Sequence, residues 1–156
     1  MDYCPHCKST KATKKCAGCH GVLYCNAEHQ KADWPNHKAV CKNLQAAAKA
    51  PGGVLRVVTT PAPEGAATPK HGSNVTMKYK GYLPSGKVFD QGDDFTFTLG
   101  VGQVIRGWDE GVKLMALGEK ATLYIISESA YGPRGAPGAI PPNYPLCFDV
   151  ELLAIN

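Results

Sequence analysis

Hydrophobic and polar residues alternate with a period of two in several stretches of the C-terminal two-thirds of the chain. Val75, Met77 and Tyr79 fall on one face of residues 74–80, and Phe95, Phe97 and Leu99 on one face of 95–99. Leu146, Phe148, Val150 and Leu152 share a face of 146–153. Such alternation is the mark of half-buried strands. Residues 120–126 form a further apolar strand candidate. A single helix is expected from about Trp108 to Leu117, with Asp109 and Glu110 in its first turn and Gly118 at its end. Many strands with one short helix predict an α+β domain built on a curved antiparallel sheet.

The first 50 residues differ. Six of the seven cysteines lie between Cys4 and Cys41, whereas 15 of 17 glycines and ten of 12 prolines follow residue 50. Residues 1–50 carry eight lysines and three acids, a charge of +5; residues 51–156 sum to −1. The alanine-rich run Ala46-Ala47-Ala48 favours helix, and Pro51-Gly52-Gly53 stops it. These shifts predict an N-terminal module over 1–41, a linker over 42–53 and a second domain over 54–156. No stretch is long and apolar enough for a membrane-spanning helix. The N-terminus lacks the basic and apolar regions of a signal peptide, which points to a cytoplasmic or nuclear protein.

A 41-residue module needs a staple. Its potential ligands come in four pairs, Cys4/Cys7, Cys16/Cys19, Cys25/His29 and His37/Cys41. Eight thiol or imidazole groups suit two tetrahedral Zn²⁺ sites. The spacing of the two later pairs places each on one face of a helical turn. Spacing leaves both interleaved and sequential pairings open. His6 and His20 lie at knuckles that are complete without them, and are expected on the surface.

Residues 4–41 resemble a MYND zinc finger. The four pairs carry the resemblance, with Tyr24 before Cys25, Gln30 after His29 and Trp34 three residues before His37. His29 stands where the family usually has Cys. The resemblance implies interleaved sites, Cys4, Cys7, Cys25 and His29 for one zinc and Cys16, Cys19, His37 and Cys41 for the other. It also implies a protein-interaction module for proline-rich segments, with Gln30 and Trp34 as contacts. The lysines alone would suggest nucleic acid. Thiolates and zinc together lower the module's charge to about +3, and residues 1–50 hold no arginine, the usual base-reading residue. Protein partners are therefore expected rather than nucleic acid or membrane.

The second domain has one cysteine, Cys147, and one histidine, His71, and no nucleophile–base pair. It resembles the FKBP-type peptidyl-prolyl isomerases through Tyr79-Lys80-Gly81, Val88-Phe89-Asp90, Val104 to Gly111, Ala130-Tyr131-Gly132, Ile140-Pro141-Pro142-Asn143 and Phe148 to Leu152. The resemblance implies an antiparallel sheet wrapped around one short helix, with Trp108 at the floor of a proline pocket. It implies Tyr79, Asp90, Ile105 and Tyr131 as the catalytic set. Phe89, Phe97, Val104, Trp108, Ile140 and Phe148 would join them in binding substrate. Proline-containing protein segments would be the substrate, a macrolide a further ligand, and no organic cofactor is required. Between Asp90 and Phe95 only four residues intervene, and Ala136 and Ala139 stand where the family often has larger side chains. The alternative function is a non-catalytic adaptor or chaperone whose two halves both bind proline-containing segments.

Overall fold

The computed structural model describes residues 3–156. The N-terminal module has two short antiparallel strands, β1 (Lys14–Lys15) and β2 (Leu23–Tyr24), and one long helix, α1 (Ala27–Ala47). Asn26 caps α1 by accepting the His29 N–H at 2.9 Å. Pro35 lies inside the helix. Tyr24 is fully buried and donates its hydroxyl to the buried Asp33 carboxylate at 2.7 Å, tying β2 to α1.

The segment expected as a linker is structured. Residues 42–47 continue α1, and a 3-10 turn over Pro51–Gly53 leads into the second domain. There, β3 (Val54–Thr60), β4 (Asn74–Tyr82), β5 (Val88–Thr98), β6 (Lys120–Ile125) and β7 (Leu146–Ile155) form an antiparallel sheet in the order β3-β6-β7-β4-β5. The helix α2 (Arg106–Val112) crosses its inner face. It is shorter than the expected 108–117. After Val112 the N–H groups of Leu114 and Met115 bond three residues back, to Gly111 and Val112, and tighten the chain into turns. A Cβ on Gly107 would lie 2.4 Å from Ile125, so only glycine lets α2 approach the sheet this closely.

Leu146, Phe148, Val150 and Leu152 enter the core with Val75, Met77, Leu123 and Ile125, as the alternation predicts. The outer face of the same sheet is also partly covered. Tyr124 and Cys147 share an apolar cluster with Val22, Tyr24, Leu44 and Ala47 of the finger, and Leu55, Val57 and Tyr82 pack against it. Ala47 is fully buried, and its small side chain allows α1 to lie close to β3 and β6. The finger and the sheet thus bury one continuous surface.

Candidate functional site

In the finger, the eight ligand atoms gather into two sets, each with all its ligand atoms within 4.8 Å of one another: Cys4, Cys7, Cys25 and His29, and Cys16, Cys19, His37 and Cys41. The arrangement is interleaved. His37 and Cys41 lie one turn apart on α1, as their spacing predicts. Cys25 precedes the helix cap, so the Cys25/His29 pair straddles the helix start. Within the first set Cys7 and Cys25 Sγ are 3.5 Å apart and Cys4 Sγ is 3.6 Å from His29 Nδ1. In the second, Cys16 and Cys41 Sγ are 3.8 Å apart and Cys19 Sγ is 3.4 Å from His37 Nε2. A tetrahedron with metal–sulfur bonds of about 2.3 Å has edges of about 3.8 Å. The donor sets therefore fit zinc in size and chemistry.

All seven cysteines are free thiols. Burial acts to raise the Cys4 thiol, but backbone N–H groups of Cys7, Cys25 and His6 and the His29 ring outweigh it and hold Cys4 down to about 6. Its thiolate is thus favoured. Cys147 is the reverse: burial, with Asp149 nearby, raises it and leaves an inert thiol. His6 and His20 are exposed, although the His6 ring lies 4.7 Å from that of His29.

The second site lies between α2 and the inner face of the sheet. A cavity of about 230 Å³ is walled by Tyr79, Phe89, Asp90, Phe95, Gln103, Val104, Ile105, Trp108, Tyr131 and Phe148. Trp108, 4% exposed, is the hub. Its ring centroid is 5.1 Å from Tyr79, 5.3 Å from Phe148, 5.7 Å from Phe97 and 5.8 Å from Phe95. Eight of the ten residues expected in the pocket stand on this wall. Phe97 and Ile140 lie behind it, at 3% and 5% exposure.

Phe95 and Gln103 join the wall without having been expected there. Phe95 belongs to the same alternation as Phe97 and stacks on it at 5.7 Å. Phe95 pairs with Met77 at the last position before the β4–β5 register shifts and is 37% exposed at the cavity, while Phe97, opposite Val75, stays covered. Gln103 Oε1 accepts the Thr98 N–H at 2.9 Å. No periodic signal marks this residue, which lies in an irregular loop. Asp109 pins that loop by accepting the N–H groups of Gly100 and Gly102 at 2.9 and 3.2 Å.

The polar groups are few and placed at the rim. Tyr79 donates its hydroxyl to Asp90 at 2.8 Å, and Asp90 also accepts the Gln91 N–H at 2.8 Å. Burial first, then the Asp90 carboxylate, push the Tyr79 phenol up to about 12. Burial and Asp90 likewise raise Tyr131. The Ile105 carbonyl accepts the Trp108 N–H at the start of α2, whereas the Ile105 N–H and the Tyr131 hydroxyl meet no acceptor among the described residues. The site offers an aromatic box and two free donors, and no nucleophile.

Comparison with known proteins agrees with both halves. The family described as FKBP-type peptidyl-prolyl cis-trans isomerase matches residues 65–153, and the MYND finger family matches residues 4–41. A peptidyl-prolyl cis-trans isomerase of Schizosaccharomyces pombe is 61% identical over 92 residues, 56% of this chain and 82% of that protein. The FK506-binding protein 1 of Yarrowia lipolytica is 53% identical over 97 residues, 60% of this chain and 90% of the relative. The peptidyl-prolyl cis-trans isomerase Fkbp12 of Drosophila melanogaster is 48% identical over 106 residues, 65% of this chain and 98% of the relative. The chain belongs to the FKBP-type peptidyl-prolyl cis-trans isomerases and carries a MYND finger ahead of its isomerase domain.

Proposed function

We propose that the aromatic cavity holds the proline ring of an X-Pro segment and that the finger, loaded with two structural zinc ions, recruits the protein carrying that segment. The aromatic box with its two unpartnered donors supports the first part most directly. An X-Pro bond resists rotation by about 20 kcal/mol because the planar amide is stabilised by resonance. Rotation breaks no covalent bond, so a site without nucleophile or base suffices. The ring would lie over Trp108 between Tyr79, Phe95 and Phe148. The Ile105 N–H and the Tyr131 hydroxyl would take flanking carbonyl oxygens and hold the chain on both sides of the rotating bond. The twisted amide is less polar than the planar one, so a water-poor aromatic wall favours it. Asp90 orients Tyr79 through their hydrogen bond. Phe97 and Ile140 support the wall from behind. A macrolide presenting a ring of similar size and carbonyls at similar spacing would occupy the same cavity.

Zinc at each four-ligand set supplies a structural cross-link. Cys4, Cys7, Cys25 and His29 would hold one ion and Cys16, Cys19, His37 and Cys41 the other. Trp34, 42% exposed, and the half-exposed Gln30 are the finger's proposed contacts for a proline-containing partner. Free thiols arranged as metal ligands suit a reducing compartment, cytosol or nucleus. No helix among the described residues is long and apolar enough to cross a membrane.

NMR titration with a short X-Pro peptide tests the pocket; shifts should centre on the Trp108 indole, Ile105 and Tyr131, and shifts confined elsewhere would contradict it. Capture of partners by the full chain, with and without chelator, tests the finger. Metal analysis of the same sample should give two zinc ions per chain. Partner capture that survives metal removal would contradict the recruiting role.

A further inference from the structure

We propose that the finger's second knuckle, centred on Gly21, is a positioning element for the prolyl pocket. The inference rests on the second ligand set holding zinc as proposed above. The knuckle lies against two loops, each of which leads along the chain to residues of the pocket wall. A methyl group added to Gly21 would stand 2.6 Å from Pro84 Cγ and 2.6 Å from Pro145 Cγ. The backbone is therefore seated between two proline rings with no room to spare. Nearby, the Lys15 ammonium lies 5.1 Å from the centre of the Tyr144 ring, and Leu23 packs against the isomerase core. Gly21 itself is held to the metal site, since its N–H donates to Cys19 Sγ at 3.4 Å.

Each proline is one short connection from the cavity wall. Pro145 ends the loop that begins at Tyr131. That loop is bonded to itself: the Asn143 N–H donates to the Gly132 carbonyl at 2.9 Å, and Ala136 and Ile140 exchange hydrogen bonds at 2.9 and 2.8 Å. Fixing its Pro145 end therefore fixes the residue next to Tyr131. Pro84 lies in the turn between β4 and β5, closed by the Leu83 N–H donating to the Lys87 carbonyl at 2.9 Å. Three residues after Gly86, whose N–H donates to the Leu83 carbonyl at 2.8 Å, the strand delivers Phe89 and then Asp90 to the pocket. The knuckle thus braces both rims through contiguous packed and hydrogen-bonded groups, which is the kind of path that carries coupling. Looser rims weaken ground state and transition state together, which raises KM and leaves kcat in place.

The test uses the full-length protein. Gly21→Val places a side chain between the prolines without altering a pocket residue or a metal ligand. The expected result is unchanged zinc content, a KM for a short X-Pro peptide raised about fivefold, and a kcat changed by less than about twofold. Hydrogen exchange on the unsubstituted protein, with and without chelator, provides a second readout that needs no substitution. Metal removal should speed exchange across residues 131–145 as well as in the finger. Unchanged KM in a zinc-replete Gly21→Val protein would overturn the proposal. So would finger amides that lose protection on chelation while those of 131–145 keep theirs. Zinc content is read on every sample, so failure of the zinc assignment is seen separately from failure of the coupling.

Discussion

Replacing Trp108 with alanine separates the two duties of the aromatic hub. The indole is buried and meets four aromatic rings within 6 Å. Truncating a side chain so enclosed costs about 3–5 kcal/mol, from lost burial and the cavity left behind. In a protein of this size each kcal/mol moves Tm by about 2–4 °C, so Tm should fall by roughly 10–15 °C. The effect on activity follows from the substrate. A proline ring offers about three methylenes at about 0.8 kcal/mol each, so losing the surface on which they are buried lowers kcat/KM by up to about 50-fold. A protease-coupled isomerisation assay, run well below the lowered Tm, measures the second quantity, and calorimetry the first. Trp108→Phe retains an aromatic floor and should recover most of the activity. A Trp108→Ala protein with kcat/KM within about twofold of the original, and with the expected Tm loss, would refute the placement of the proline ring.

Four further outcomes follow from the same structure. Tyr79→Phe removes a hydroxyl whose partner, Asp90, stays hydrated, so stability should fall by only about 1 kcal/mol in denaturant titrations while kcat/KM drops several-fold. Because the Tyr79 phenol is raised to about 12, its hydrogen bond is complete below the ordinary value near 10 and is lost only as pH climbs towards 12; activity that declines already between pH 7 and 9 through this residue would contradict the assignment. Arg56→Ala leaves the Glu119 carboxylate, only 8% exposed, without the guanidinium now 2.7 Å away. Arg56 itself is partly exposed, so the loss should be about 2 kcal/mol by denaturation rather than the larger cost of a fully buried pair. His37 is held below its ordinary value by burial, against an opposing pull from Asp33. The unfolded chain then takes up a proton near pH 6.5 that the folded chain refuses, so stability is complete above about 6.5 and is lost as pH falls through the lower folded value. Zinc release read with a colorimetric chelator should therefore be small at about pH 7.5 and rise below about pH 6, and pH-independent release would contradict His37 as a ligand.

What the chain revealed before folding depended on how many sides of each segment are buried. The strands over 74–82 and 146–155 bury one face well and alternate plainly. The strand over 54–60 does not alternate, because Val54 faces the core while Leu55 and Val57 face the finger. Burial on both faces hid it. The same contact explains the alanine run before Pro51. Its composition announced helix, but nothing local announced that Ala47 would be pressed onto a sheet whose neighbouring strands β3 and β6 begin at Val54 and Lys120. The metal ligands were legible from spacing, since each pair is a local turn. Their interleaving is set by the three-dimensional path and was carried by resemblance until the ligand distances decided it. Gln103 reaches the pocket from an irregular loop and leaves no periodic mark, whereas Phe95 shares the alternation of Phe97 and was legible as an inward-facing residue, though not as part of the wall.

The most direct test of the account is the rate of cis–trans exchange of a short X-Pro peptide in the presence of the purified full-length chain. Uncatalysed exchange takes about 10–100 s at 25 °C. The account predicts a rate that rises in proportion to protein concentration and falls back when a proline-ring ligand fills the cavity. A rate equal to the uncatalysed background at every protein concentration would contradict it.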